Sequence, residues 1–149
     1  MFDSINIDSS VAVYVQIENL VQFAITAGDL KPGDQLPSVR EMSERLKVNP
    51  NTVAKAYRDL EIMGFVRPVR GMAFYIQEDA VARCREQCRR TIISRIHEVV
   101  GEAKAAGFQA DEVKEAANRS FASESGPYGA VPDSVIGLAS GGGGRRRSK

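Results

Sequence analysis

Along residues 13–27 the apolar side chains Ile17, Leu20, Val21, Ala24 and Ile25 recur at three- and four-residue spacing. That spacing lines one face of a helix, predicted over Val13–Ala27, and Gly28 supplies its stop. Gly28 to Gln35 is rich in turn formers (Asp29, Pro32, Gly33, Asp34) and reads as a loop. A second helix is predicted over Ser38–Leu46, where Ser38 and Glu41 have the spacing of a capping box, Pro37 precedes them, and Met42 and Leu46 share a face. Lys47, Val48, Asn49 and Pro50 lead into a third helix, predicted from Pro50 to Met63. Asn49 suits its N-cap, and Pro50 suits the first helical position, where the missing N–H is not needed. Val53, Ala56, Tyr57 and Leu60 form its buried stripe, and Gly64 ends it.

Two short β-prone runs follow, Phe65–Val69 and Met72–Ile76, joined at Arg70-Gly71 as a hairpin. Pro68 has no donor for a ladder and belongs on an edge. A long helix is then predicted from Asp79 to Ala106, with a stripe of Val81, Cys84, Cys88, Ile92, Ile96, Val99 and Ala103 that Ile93 and Val100 broaden. Gly107 breaks it, and a weaker helix, Asp111–Phe121, uses Val113, Ala116, Ala117 and Phe121. The pattern predicts a mainly α fold with a small β-hairpin (α+β). It comprises a winged helix-turn-helix over residues 9–78, a two-helix dimerisation segment over 79–122, and a disordered Gly/Arg tail over 123–149.

Composition adds exclusions. The chain has 149 residues, 43% of them hydrophobic and 26% charged, which suits one small domain plus an oligomerisation segment. The absence of any apolar run of membrane-spanning length, and a start (Met1-Phe2-Asp3-Ser4) without a basic flank, predict a cytoplasmic protein with no membrane partner. A single histidine, no Gly-rich phosphate loop and no nucleophile elbow leave no catalytic constellation. The reading is therefore not an enzyme, with no catalytic residue, no metal ligand and no cofactor. Cys84 and Cys88 lie one helical turn apart; a metal pair would need further ligands, and buried thiols or an intersubunit disulfide are the other readings.

Net charge is only +1, so a nucleic-acid partner must be sought locally. The second helix of a helix-turn-helix enters the major groove with its first turn leading. Here that turn offers Asn49, Asn51, Thr52 and Lys55: Asn suits adenine, Thr a phosphate or a thymine methyl, Lys a phosphate or guanine. Ser38 and Arg40 at the start of the second helix, and Arg67, Arg70 and Gly71 on the hairpin, complete the candidate DNA-binding set as a patch with no acid at its centre. Plainer readings stand beside these: Asn49 as a cap, Lys55 and its neighbour Arg58 as solvated residues, Arg40 in an ion pair with Glu44. Val81, Cys88, Ile92, Ile96 and Val99 are the candidate dimerisation residues. The Arg145–Arg147 run reads either as added non-specific DNA affinity or as a solvated end.

Residues 13–76 resemble the N-terminal domain of the GntR family of bacterial transcriptional regulators. The resemblance lies in Tyr14-Val15-Gln16-Ile17, in Ile25 to Glu41 (ITAGDLKPGDQLPSVRE), in Val48 to Glu61 (VNPNTVAKAYRDLE) and in Gly64-Phe65-Val66. It implies a homodimer on a palindromic operator in double-stranded DNA, most often a repressor, with Arg40, Asn49, Asn51 and Thr52 as contacts and Arg70-Gly71 as the wing tip. Pro50 stands where many members carry Arg, and Gly71-Met72-Ala73 replaces the usual Gly-x-Gly. The short helical segment after the wing is similar to the YtrA-like subfamily. The resemblance leaves a small-molecule effector open.

Overall fold

The first three helices are α1 (Val13–Ala27), α2 (Val39–Leu46) and α3 (Pro50–Ile62). They come from a computed structural model that describes residues 5–70, 73–124 and 127–128. The predicted stripes meet: Ile17, Val21 and Ile25 of α1 and Val53, Ala56, Tyr57 and Leu60 of α3 are fully buried, and Met42 and Leu46 of α2 close the same core. Tyr57 fixes the cross-angle. Its hydroxyl donates to the Pro37 carbonyl at 2.8 Å, and its ring stands edge-on to Phe74, with centroids 5.3 Å apart. α3 is thereby tied both to the entry of α2 and to the hairpin.

The hairpin consists of β1 (Val66–Val69) and β2 (Ala73–Ile76), antiparallel with Val66 opposite Ile76 and Pro68 opposite Phe74. The stretch predicted as a plain loop does more than connect. Gly33 N–H donates to Ile76 O at 2.9 Å, Ile76 N–H to Asp34 O at 2.9 Å, and Leu36 N–H to Phe74 O at 2.8 Å. β2 is thus hydrogen-bonded on both sides, which leaves β1 on the edge and accommodates Pro68 there. Turn-forming residues concealed this pairing, because the paired stretch, Gly33 to Leu36, carries a single apolar side chain, Leu36.

α4 (Ala80–Ala105) and α5 (Ala110–Ala122) follow. Ala80 and Cys84 are fully buried where α4 begins, and α4 packs along α1. Arg83 anchors the junction: its guanidinium donates to Met63 O at 2.8 Å and Gly64 O at 3.1 Å, satisfying carbonyls that the end of α3 leaves open. Gly64 has φ 79, which favours glycine, and a Cβ there would lie 2.5 Å from Arg83 Nη1, so a side chain would also push the guanidinium off its carbonyls. Beyond Cys88 α4 leaves the body, and α5 buries no residue.

Before α1, the chain is stapled down by Gln16. This fully buried side chain donates to Asn6 O (2.8 Å) and Val11 O (2.7 Å) and accepts from Asn6 N–H (2.9 Å). Ile5 packs into the core beside it, and so does Tyr128, 9% exposed. Of the tail expected to be disordered over 123–149, residues 123–124 and 127–128 are described, and Tyr128 among them is buried. The Arg145–Arg147 run lies outside the described residues.

Candidate nucleic-acid interface

The polar front of α3 is built by its caps. Lys47 adopts the left-handed conformation (φ 53, ψ 46), which turns the chain out of α2. Asn49 then accepts from Asn51 N–H at 2.8 Å through its side chain, and Pro50 occupies the first helical turn. On α2, Ser38 and Glu41 form the full capping box: Ser38 Oγ accepts from Glu41 N–H (3.1 Å) and Glu41 Oε2 from Ser38 N–H (2.8 Å). These backbone contacts hold the Glu41 carboxyl below the usual carboxylate range. The cap roles of Ser38 and Asn49 are therefore real, and both side chains serve the backbone first.

Opposite the buried stripe of α3 stand Asn51, Lys55 and Arg58, all exposed, with Thr52 half-buried at the margin. Helical spacing puts positions 51, 55 and 58 on one line. Arg58 belongs to this surface although it was not among the sequence-derived candidates; its three-residue offset from Lys55 was the signal. Among the described residues the Asn51 side chain has no partner, and its amide remains free to bond outward.

The expectation of a patch without acids needs correction. Arg40 pairs with Glu44 (2.9 Å) and Lys55 with Asp59 (2.9 Å), each four residues on. The Lys55 ammonium also lies 4.3 Å from the centre of the Tyr14 ring on α1. Arg40 is almost wholly exposed, at 87%, so its pair stays open to exchange; Lys55 is about half as exposed, at 47%. On the hairpin, Arg67 lies exposed with its guanidinium 5.8 Å from the Tyr75 ring centre. Arg70 is exposed at the turn with φ 55. Gly71 lies outside the described residues.

Behind Lys55 lies a carboxyl pair that helix patterning did not single out. Glu18 of α1 faces Asp59 of α3, and its Oε1 is buried with no hydrogen-bond partner. Burial, then the shared hydrogen bond with Asp59, then its like charge push the Glu18 carboxyl up to about 7. Asp59 is held low, first by its bond to Lys55 and then by the one to Glu18. Glu18 thus carries the proton that lets two carboxyls sit together.

The candidate dimerisation residues divide. Val81 packs against the chain's own core, and Cys88 is half-buried with its thiol donating to Gln22 Oε1 at 3.6 Å. Ile92, Ile96 and Val99 are exposed, as are Ile93, Phe108 and Phe121. Ile92, Ile96 and Val99 recur at four- and three-residue spacing and so share one uncovered line along α4. Burial pushes the Cys84 thiol up to about 12 and raises Cys88 as well, which disfavours the reactive thiolate at both. Among the described residues no cluster of His, Cys, Asp and Glu is suited to a metal, and no helix is long and apolar enough to cross a membrane.

Residues 13–76 match the family of bacterial regulatory proteins, gntR family. The HTH-type transcriptional repressor YtrA of Bacillus subtilis (strain 168) is 37% identical over 107 residues, 72% of this chain and 82% of its own length. The HTH-type transcriptional regulator YhcF of the same organism is 35% identical over 109 residues, 72% of this chain and 88% of its own. A solved GntR family transcriptional regulator from Listeria monocytogenes has a TM-score of 0.57 at 32% identity and covers 75% of this chain and 97% of its own. A match of 107 residues must run past the wing, which ends at Ile76, into the helical segment.

Proposed function

The chain belongs to the gntR family of bacterial regulatory proteins, DNA-binding transcription regulators rather than enzymes, and we propose that it is a repressor that binds a palindromic operator as a homodimer. The observation that carries the DNA reading is the uncovered first turn of α3. Asn51 is exposed there, at the head of a helix whose opposite face is sealed into the core. In this reading residues 9–78 read the DNA through Asn51 and Thr52, with Ser38, Arg40, Asn49, Lys55, Arg67, Arg70 and Gly71 around them. Arg58 joins them from the same helix face. Residues 79–122 pair two chains through Ile92, Ile96 and Val99, with Val81 and Cys88 setting the root of the helix.

Selection of bound duplexes from a random pool tests the function. The expected product is a short inverted repeat whose half-sites lie about one helical turn apart; recovery of no sequence sinks the reading. Pairing is tested by sedimentation of the double variant Ile92→Asp, Ile96→Asp. A monomer with an intact circular-dichroism spectrum is expected, and a persisting dimer rules out the assigned face.

A further inference from the structure

We infer that two chains pair with their α4 helices antiparallel, about a two-fold axis at Ile96, so that Arg95 of each chain meets the acids Glu98 and Glu102 of its partner. The inference rests on the pairing reading above and adds its direction.

Beyond Cys88, α4 carries three strips. Ile92, Ile96 and Val99 form the uncovered apolar line. Ile93 and Val100, seven residues apart, stand along one flank of that line. Arg95, Glu98 and Glu102, three and four residues apart, stand along the other. These three are exposed, and among the described residues none of them forms an ion pair within its own chain, whereas Arg90 is already matched to Glu86. The two flanks are therefore unlike, one apolar and one charged, and the charged flank runs from base to acid.

Symmetry turns this difference into a choice of direction. A two-fold axis gives both chains the same contact surface. Between antiparallel helices it brings each flank against the same flank of the partner; between parallel helices it brings each against the opposite one. Antiparallel pairing at Ile96 sets Arg95 within about 1.5 Å, measured along the helix, of the level of the partner's Glu98, and Ile93 equally close to the level of the partner's Val100. Opposite charges then face each other, and apolar meets apolar, twice in each dimer. Parallel pairing would instead press the charged flank against Ile93 and Val100, which desolvates the charges without matching them.

Two longer-range features agree with this direction. Cys84, fully buried at the root of α4, lies twelve residues before Ile96, about 18 Å along the helix. Antiparallel helices therefore hold the two roots about 36 Å apart, close to the ~34 Å turn of duplex DNA that separates paired half-sites. Parallel helices at ordinary packing distance would hold them about 10 Å apart. Charge is also segregated along the segment: residues 80–96 hold five arginines against the single acid Glu86, and residues 97–122 hold five acids against three Lys and Arg. Antiparallel pairing lays the basic root of one chain beside the acidic end of the other.

Two cysteine variants of the full chain decide the direction, each made together with Cys88→Ser, which keeps a donor for Gln22. Positions 92 and 99 are almost level across an antiparallel pair and about 10 Å out of level across a parallel one. After mild oxidation, a mixture of the Ile92→Cys and Val99→Cys chains should yield a disulfide dimer containing one chain of each kind, and neither chain alone should cross-link. Cross-linking of Ile92→Cys to itself overturns the direction, as does the absence of the mixed disulfide from a mixture that sediments as a dimer. Charge reversal gives a second readout that leaves the apolar line intact. Arg95→Glu, and separately the double variant Glu98→Arg, Glu102→Arg, should each weaken the dimer about tenfold, and mixing the two should restore it as a heterodimer. Parental affinity in both separate variants overturns the facing of Arg95 with the acids. A parent chain that sediments as a monomer overturns instead the pairing reading on which the direction rests.

Discussion

Glu18→Gln should stabilise the protein at pH 8 and much less at pH 5. In the folded chain the Glu18 carboxyl keeps its proton up to about 7, against an ordinary value of 4.5, because it is partly buried and faces Asp59. The folded state thus binds this proton more tightly than the unfolded state. The resulting stability is fully present below about pH 4.5 and is lost as pH rises through 7. For a fully buried group a shift of this size is worth about 3 kcal/mol; Glu18 is only half-buried, and solvent screening reduces it to about 1 kcal/mol. The amide introduced by the substitution can donate to Asp59 as the protonated carboxyl does, but it does not ionise. The variant should therefore gain about 1 kcal/mol over the parent at pH 8, or about 3–5 °C in melting temperature. Asp59, held low, loses its contribution only as pH falls below 3.8, and the raised thiols matter only above 9, so neither intrudes between pH 5 and 8. Thermal unfolding followed by circular dichroism at both pH values decides the matter. An equal difference at pH 5 and pH 8, or a less stable variant at pH 8, refutes the carboxyl-pair argument.

Four further outcomes are expected. Asn51→Ala should weaken binding to the selected operator by about 1–3 kcal/mol, the worth of a bidentate base contact. Lys55→Ala should weaken it less, since Asp59 and Tyr14 already hold that ammonium; a gel-shift titration in which Lys55→Ala is the more damaging change reverses the ranking. Gln16→Leu leaves Asn6 N–H and the carbonyls of Asn6 and Val11 without their partner and should cost about 2–3 kcal/mol by urea unfolding. Gly64→Ala forces a left-handed residue against Arg83 and should cost at least about 1 kcal/mol, with unchanged stability counting against the Arg83 clamp.

Patterning disclosed the helices because each carries a regular apolar stripe and an explicit boundary. Val13–Ala27 ends where Gly28 takes φ 85, and Ser38 and Asn49 cap the next two helices as their side-chain chemistry requires. Pro68 likewise located the sheet edge. What remained hidden depends on groups distant in the chain. Periodicity places Glu18 on the flank of α1 but does not reveal that Asp59 meets it from α3. Gln16 interrupts an apolar face, and only the bonds to Asn6 and Val11 explain a polar group at zero exposure. Tyr128 lies in a run whose composition signals disorder, yet it is buried in the core cluster that also holds Ile5. Along α4 a single apolar stripe covered two environments, because periodicity does not say where a helix leaves its own core.

The intramolecular partners of the basic residues also rank them as contacts. The Arg40–Glu44 pair is solvent-exposed on both sides, where ion pairs contribute little and exchange freely, so a phosphate can take over the guanidinium without disturbing the fold. Lys55 is different. Its ammonium is shared between Asp59 and the Tyr14 ring, and Asp59 in turn holds the Glu18 proton across the seam between α1 and α3. Drawing Lys55 outward to DNA would leave Asp59 beside Glu18 without its neutralising cation. The expected result is that Lys55 orients the reading helix on α1 while Asn51, Thr52 and Arg58 make the outward contacts. Pro50 brings neither charge nor donor to the head of that helix, so the expected contacts there fall to Asn51.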